Sequence, residues 1–228
     1  MSNIAWAFAT NGFKDKPLFD SLAGEHERLC KVGIDQDLSN ITWAFATIGC
    51  EGDVLFNSVA GETKRVDNMN TQAISNILWA FAFKKIKSEK LFNAVAAQHK
   101  RLAKDAREQE ISNIIWSFAT NGHYSKALFG AIGGENARIA SNASEQQLSN
   151  ILYSFATIGD FNDALFDRIA TDNRSQGVME YGRSQHICNT LWSYSVAGKL
   201  QVSVSECECG CGCGIFFGGD YKILDDET

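Results

Sequence analysis

Apolar and polar residues follow a helical spacing in a motif that recurs along most of the chain. One copy, Ser39–Gly49, reads SNITWAFATIG, and the aromatic residue of the motif returns at intervals of 37, 36, 37, 37 and 39 residues. These aromatic residues are Trp6, Trp43, Trp79, Trp116, Tyr153 and Trp192. A unit of this size cannot bury its own apolar face, so neighbouring units must stack into a continuous core. The pattern therefore predicts a repeat array with an extended binding surface.

Each repeat is predicted to begin with a helix that carries the aromatic motif. Asp35, Thr71 and Ser144 stand where such helices would start, and Ser144 with Gln147 fits a capping box. A glycine six residues after the aromatic residue predicts the helix end. These glycines are Gly12, Gly49, Gly122, Gly159 and Gly198, and Lys85 takes their place in the third repeat. A second helix is predicted to start at Asp15, Asp53, Ser88, Ser125 and Asn162.

The resulting fold class is all-α, with two helices of about 14 residues in each repeat. Five such pairs and a sixth first helix, with a period of about 37 residues, make an α-solenoid over residues 1–200. The first repeat lacks its beginning, so the array is expected to be truncated at its N-terminus. Residues 201–228 form a Cys/Gly-rich acidic tail, which is predicted to be disordered.

The first helix divides into faces when each residue is placed 100° from the last. In the second repeat the predicted buried seam consists of Leu38, Ile41, Thr42 and Phe45. Ala44 and Ala46 flank this seam, and their small side chains would let first helices of successive repeats approach closely. A third face carries Gln36, Asn40, Trp43 and Thr47, and the amide and aromatic residue types recur there in later repeats.

We call this recurring set of amide and aromatic side chains the ridge. It comprises Gln36, Asn40, Trp43, Gln72, Asn76, Trp79, Gln109, Asn113, Trp116, Gln146, Asn150, Tyr153, Gln185, Asn189 and Trp192. In a structural interpretation, the amides bond backbone groups between repeats and the indoles fill a wedge. In a functional interpretation, the rings stack on bases of single-stranded RNA and the amides bond base edges. The sequence leaves both open.

Two further positions vary between repeats and would carry any reading of RNA sequence. The first lies six residues before the aromatic residue: Asp37, Ala73, Glu110, Gln147 and His186. The second lies five residues after it: Asn11, Ile48, Lys84, Asn121 and Ile158.

A column of arginines on the second helix also recurs, at Arg28, Arg65, Arg101 and Arg138. Glu25, Glu62 and Glu135 precede three of them by three residues, a spacing that suits ion pairs within a helix. The column therefore forms either a solvated outer face or a stripe that contacts phosphates.

Charge and candidate chemistry narrow the function classes. The formal charge of the chain is -6, but the tail from Gln201 holds six acidic residues and one lysine, so residues 1–200 carry only about -1. No apolar run approaches the roughly 18 residues of a membrane span, so no membrane partner is expected. The histidines are scattered without metal-ligand spacing, and no phosphate loop or nucleophile motif occurs. We expect no enzyme activity and no cofactor.

The tail holds four cysteines in strict alternation, Cys207, Cys209, Cys211 and Cys213. Alternate thiolates on an extended segment are able to bind a soft metal. Zinc sites usually separate their cysteines by two or more residues, so the sequence favours a low-complexity segment and predicts no metal site.

The repeat motif resembles the octotricopeptide-type repeats of algal and protist organelle RNA-binding proteins. It reads aliphatic residue, Ser-Asn, aliphatic residue, variable residue, Trp-Ala-Phe-Ala-Thr, and Leu-Phe follows in a second helix. It also resembles the related helical domain named after a trypanosome RNA-editing substrate-binding complex protein. The resemblance covers residues 1 to about 200.

This resemblance implies a non-enzymatic α-solenoid that binds single-stranded organellar transcripts in the mitochondrion or chloroplast. Its implied roles are RNA processing, mRNA stability or translation, together with other proteins of a ribonucleoprotein complex. The rival interpretation is a protein-scaffolding array that binds an extended peptide or helix. A positive groove with exposed indoles would favour RNA, whereas buried indoles and a neutral or acidic groove would favour a protein partner.

Overall fold

The computed structural model describes residues 1–172, 178, 182–203 and 214–217. Fourteen α-helices lie in these residues, and the all-α prediction for the array is confirmed. They are α1 Ser2–Thr10, α2 Lys16–Gly24, α3 His26–Val32, α4 Asp35–Ile48, α5 Asp53–Gly61, α6 Thr71–Phe83, α7 Glu89–Ala97, α8 His99–Asp105, α9 Glu108–Thr120, α10 Lys126–Gly134, α11 Asn136–Asn142, α12 Glu145–Ile158, α13 Asp163–Thr171 and α14 Ser184–Val196. A short 3₁₀ helix, Thr63–Arg65, follows α5.

The residues group into two compact units, 1–132 and 133–228. In the first unit the motif-bearing helices α1, α4, α6 and α9 pack side by side in chain order, and α2, α5 and α7 follow one another in the same way. In the second unit α12 packs against α14, and α11 packs against α13. Within each unit the helices therefore stack repeat on repeat, as in an α-solenoid.

The first helices bury the faces that the angular pattern predicts. Leu38, Ile41 and Phe45 are inaccessible to solvent, as is the Thr42 side chain, which donates to the Leu38 carbonyl at 2.7 Å. The small flanking residue Ala44 is also fully buried. A short side chain at this position allows first helices of successive repeats to pack closely, as α4 and α6 do.

Within each unit, a pair of aromatic rings connects neighbouring repeats. Phe19 of α2 meets Phe45 of α4 edge-on, with ring centroids 4.9 Å apart. The same arrangement joins Phe56 to Phe81 at 5.1 Å and Phe92 to Phe118 at 4.9 Å, and in the second unit Phe166 to Tyr194 at 5.4 Å. Edge-to-face pairs contribute about 0.5–1.5 kcal/mol beyond their buried area. The recurring Leu-Phe dipeptide therefore fastens neighbouring repeats together.

The predicted helix ends are confirmed. Gly49 ends α4 with φ +70°, and the next amide, that of Cys50, donates to the Phe45 carbonyl at 3.1 Å. Lys85 adopts the same left-handed backbone, with φ +58°, although it is not a glycine. The capping box at α12 is also present, since Ser144 N donates to Gln147 Oε1 at 2.9 Å.

The second helix differs from the prediction in the first four repeats. A single helix of about 14 residues was expected, but nine residues of α-helix end at a turn and a second short helix or 3₁₀ segment follows. In the fifth repeat the nine-residue α13 is described, and most of the residues after Asp172 lie outside the described part of the chain. The residue at the break in the first repeat, Glu25, has φ -85° and ψ +12°. Gly24, Gly61 and Gly134 end three of the nine-residue helices. Glycine is a poor helix former, which explains why the helix ends there.

Beyond the array the structure describes two short strands, β1 Leu200–Ser203 and β2 Gly214–Phe217. They pair antiparallel, with Leu200 opposite Phe217. The segment predicted as a disordered tail therefore contributes backbone pairing at these residues. Its four alternating cysteines lie outside the described residues.

Candidate nucleic-acid interface

The ridge lies at the surface of the stacked first helices. All five of its glutamines are exposed, its five asparagines are half-buried, and the rings of Trp43, Trp79, Trp116 and Tyr153 are half-buried. Trp192 is 42% exposed. The seam takes the Phe, Leu and Ile side chains, and this leaves amides and indoles in contact with solvent. The indoles are therefore not enclosed in the core.

Within each unit, ridge residues of successive repeats come close to one another. Asn40 Nδ2 lies 3.4 Å from the Oδ1 of Asn3, the equivalent residue of the first repeat. The ring centroids of Trp43 and Trp79 are 6.5 Å apart, and those of Tyr153 and Trp192 are 5.1 Å apart. Aromatic rings of adjacent repeats therefore meet at one position in each unit, and amides of adjacent repeats approach one another in the first unit.

Several ridge amides form no side-chain hydrogen bond with the part of the chain that the structure describes. Among the described residues, the side chains of Gln36, Gln72, Asn76, Gln146 and Asn150 form no hydrogen bond, and the exposed location leaves them to solvent. The structural interpretation, in which these amides bond backbone groups at the turns, does not hold for them. Their donors and acceptors are available to a ligand that approaches the ridge.

Two adjacent repeats form a polar cleft on the ridge between α4 and α6. It has a volume of about 130 Å³, and its lining consists of Gln36, Ser39, Asn40, Asn70, Gln72, Ala73 and Asn76. Asn70 was not predicted as a site residue. Its Oδ1 caps α6 by accepting a hydrogen bond from Ala73 N at 2.8 Å. The Nδ2 group of Asn70 takes no part in this cap. The polar residue just before Thr71 was the signal for this role.

Two arginines of the column, Arg65 and Arg101, form neither a solvated outer face nor a phosphate stripe. They bind backbone carbonyls of the preceding repeat. Arg65 donates to the carbonyls of Cys30 and Gly33 at 3.2 and 2.7 Å, and it pairs with Asp35 at 3.1 Å. Its half-buried guanidinium thus binds the C-terminal end of α3 in the preceding repeat. Arginine suits this position because its planar fork donates in parallel and its charge complements the helix end.

Arg101 repeats this arrangement, and it donates to the Met69 and Val66 carbonyls at 2.9 and 2.8 Å. The predicted phosphate contact is corrected at these two arginines, because their outer nitrogens already bind the preceding repeat. Arg28 and Arg138 pair with the glutamate three residues earlier, as the spacing predicted.

Some of the variable positions that were predicted to read RNA sequence instead form hydrogen bonds between repeats. The buried Glu110 carboxylate accepts from Thr71 Oγ1 at 2.8 Å and from Arg107 N at 3.0 Å. Lys84 Nζ donates to the Cys50 carbonyl at 3.0 Å, and Asn121 Nδ2 donates to the Ile86 carbonyl at 3.3 Å. Glu110, Lys84 and Asn121 therefore hold repeats together, which limits their use as readers of bases.

Other candidate chemistry is sparse in the described part of the chain. No group of three or more His, Cys, Asp or Glu side chains there is arranged to hold a metal ion. Burial raises the pKa of the Cys30 and Cys50 thiols above the usual value, which favours the thiol over the nucleophilic thiolate. No helix among these residues combines the length and apolar character that crossing a membrane requires.

Stacked helical repeats with an exposed amide and aromatic ridge define the chain as a helical-repeat protein of the α-solenoid class. The sequence model of the RNA-editing substrate-binding complex 6 protein family matches residues 1–198, so the chain belongs to that family. No curated protein matches the chain.

Proposed function

We propose that this chain is a non-enzymatic RNA-binding protein whose ridge meets single-stranded RNA. The observation that carries the proposal is the solvent exposure of the ridge, where exposed glutamines and half-buried asparagines lie beside half-buried aromatic rings. Unpaired bases stack on aromatic side chains and expose their hydrogen-bonding edges to amides. A double helix keeps its bases stacked inside, so the ridge suits a single strand better than a duplex.

The family supports a role in RNA metabolism. Its name refers to a complex that binds RNA-editing substrates, and we infer that this chain acts in such a complex on organellar transcripts. We assign it to the mitochondrion rather than the chloroplast because of that family name. Within this proposal the protein contributes RNA binding to processing, and other proteins of the complex supply the chemistry.

The ridge has nearly the same residues in every repeat, and this limits how far it can distinguish one RNA sequence from another. Readers that assign one base to each repeat vary their reading residues, whereas Gln, Asn and an aromatic ring recur here. Several of the variable neighbours are engaged between repeats. We therefore propose broad recognition of unpaired RNA, with affinity from stacking and from general amide contacts.

A second candidate function is the scaffolding of an extended peptide or helix. The near-neutral charge of residues 1–200, about -1, favours it, because strong phosphate attraction normally comes from a positive surface. The two functions differ in their response to salt. RNA binding must weaken as salt rises, since phosphate contacts release counterions.

The experiment is an equilibrium titration of the whole chain with a labelled single-stranded RNA of about 20 nucleotides at several salt concentrations. We expect micromolar or tighter affinity that falls with salt, and weaker binding to the matching duplex. The double variant Gln72→Ala, Asn76→Ala should weaken binding about fivefold, because it removes two amides from the polar cleft. The control is Asn57→Ala, which removes an exposed amide from α5. No binding at low salt would exclude the proposal for this chain.

A further inference from the structure

The third repeat departs from the others at the end of its first helix. Four residues after the aromatic residue four of the other copies carry a hydroxyl, at Thr10, Thr47, Thr120 and Thr157, and the sixth carries Val196, whereas this repeat carries the aromatic Phe83. Phe83 is 52% exposed, and an exposed phenylalanine loses the stabilisation that burial would provide. Lys85 replaces the terminal glycine in the same repeat and adopts φ +58°. Two unfavourable choices thus coincide in one short segment.

Phe83 extends the aromatic column of the ridge. Its ring stacks on Trp79 with centroids 4.9 Å apart and planes 22° from parallel, and Trp79 in turn lies 6.5 Å from Trp43. Three rings from two repeats therefore form one aromatic surface, and the ring at its end is more than half exposed. A planar ligand is able to continue this stack on Phe83.

A cluster of lysines follows Phe83 directly in the sequence. Lys84, Lys85, Lys87 and Lys90 lie within eight residues, and Glu89 is the single acidic residue among them. Lys84 is held by the Cys50 carbonyl at 3.0 Å, whereas Lys85, Lys87 and Lys90 are exposed. In the described part of the chain neither Lys85 nor Lys87 forms an ion pair. Their charges are thus available to an anionic partner.

We propose that Trp79, Phe83, Lys85 and Lys87, which we call the aromatic-basic patch, form the principal nucleotide-binding point of the array for single-stranded RNA. A base stacks on the outer face of Phe83 and continues the Trp79 stack, and Lys85 and Lys87 contact the flanking phosphates. Aromatic rings beside unpaired cations are what single-strand binding requires. An apolar protein partner would not need the lysines.

The retention of Lys85 in a left-handed backbone supports the same conclusion. A residue with a Cβ costs roughly 1–2 kcal/mol in this conformation relative to the right-handed one, and glycine fills the position in five other repeats. Strain of this kind persists where another requirement outweighs it. Phosphate contact by Lys85 supplies such a requirement.

The inference rests on the proposed RNA-binding function, and the test separates the two. Phe83→Thr and the double variant Lys85→Gly, Lys87→Gln are titrated with the same labelled single-stranded RNA. Threonine stands at the position of Phe83 in four other copies, glycine stands at the position of Lys85 in five, and Lys87 is exposed. Both variants should therefore fold, which far-UV circular dichroism verifies. Tyr124→Ala is the control. Tyr124 is an aromatic residue of matching exposure, 50%, and it lies between α9 and α10 in the next repeat.

Phe83→Thr should weaken binding about tenfold, equivalent to about 1.4 kcal/mol, with little change in the salt dependence. The lysine variant should reduce the slope of log affinity against log salt by about 0.7 for each phosphate that the protein no longer neutralises. Tyr124→Ala should bind like the unsubstituted chain. Unchanged affinity and slope in both patch variants, while the unsubstituted chain still binds, would overturn the patch alone. Absence of RNA binding by the unsubstituted chain would overturn both proposals and favour a protein at the same aromatic surface.

Discussion

Arg65 donates a hydrogen bond from Nη2 to the Gly33 carbonyl oxygen at 2.7 Å, across the boundary between two repeats. Its Nη1 reaches the Cys30 carbonyl as well, so one side chain satisfies two carbonyls where α3 ends. Carbonyls at a helix C-terminus have no partner within the helix. The arginine column thus stabilises the junctions between repeats, at least at the two positions where both bonds form.

Arg101→Ala should lower the free energy of unfolding by about 1.5–3 kcal/mol, because it removes charge-assisted hydrogen bonds to Met69 and Val66. Arg101→Lys should recover only part of this loss, since an ammonium cannot reproduce the planar fork. Urea denaturation followed by circular dichroism measures both. Arg28→Ala is the matched control, because Arg28 is exposed, and a loss there as large as at Arg101 would contradict the junction role.

Phe56→Ala should destabilise the first unit by about 3–5 kcal/mol, since the Phe56 ring is buried and packs edge-on against Phe81 of the next repeat. The nearby substitution Val54→Ala should cost less than about 0.5 kcal/mol, because Val54 is exposed. Thermal unfolding of the two variants provides the comparison. Similar losses in both would show that the phenylalanine pairs do not fasten the repeats.

Lys85→Gly should raise the stability of the chain by about 0.5–1 kcal/mol, because glycine adopts the φ of +58° without a Cβ clash. The gain is smaller than the full strain, since glycine also gives the unfolded chain more freedom. The reverse change, Gly122→Ala at φ +65°, should lower stability by about 1 kcal/mol. Denaturation midpoints that move in the opposite directions would refute this account of the turn.

His123 should make stability depend on pH. Burial lowers the pKa of His123 below its usual 6.5, although Glu89 opposes this change, and its ring lies 5.4 Å from those of Phe92 and Phe118. The unfolded chain therefore binds the proton more readily. Stability is lost as pH falls from about 6.5 through the pKa of the folded state.

His123→Phe should reduce this loss, and phenylalanine is the residue that the first repeat carries at this position, Phe13. Melting temperatures of the variant and the unsubstituted chain at pH 7.5 and pH 5 give the comparison. An equal drop in both proteins would show that His123 does not contribute to the pH dependence.

Local signals in the sequence predicted much of the fold. Gly49 ends α4 and Ser144 caps α12 through contacts with residues close by in the sequence. The helix ends and the capping box were therefore predictable from short sequence segments. The seam around Phe45 followed from the angular pattern alone. The break in the second helix was missed, because Val59 and Val66 are seven residues apart and fit a continuous helix equally well.

Contacts between repeats could not be predicted from the sequence of a single repeat. Arg65 looks like an exposed arginine in its own helix, and its partners Cys30 and Gly33 lie more than thirty residues earlier. The exposure of the ridge was also open, since a Trp beside Gln and Asn fits a packed wedge or a free surface. Close packing through Ala44 and its equivalents buries the seam and leaves the Trp43 ring half-buried.

The central claim is that the ridge contacts single-stranded RNA, and ultraviolet crosslinking followed by mass spectrometry of the RNA-linked peptides tests it most directly. We predict crosslinks in peptides of α4 and α6 that contain Trp43 and Trp79, and their loss when unlabelled single-stranded RNA competes. Crosslinks confined to α5, α7 and α8, or no crosslinked peptide under conditions where RNA binds, would contradict the claim.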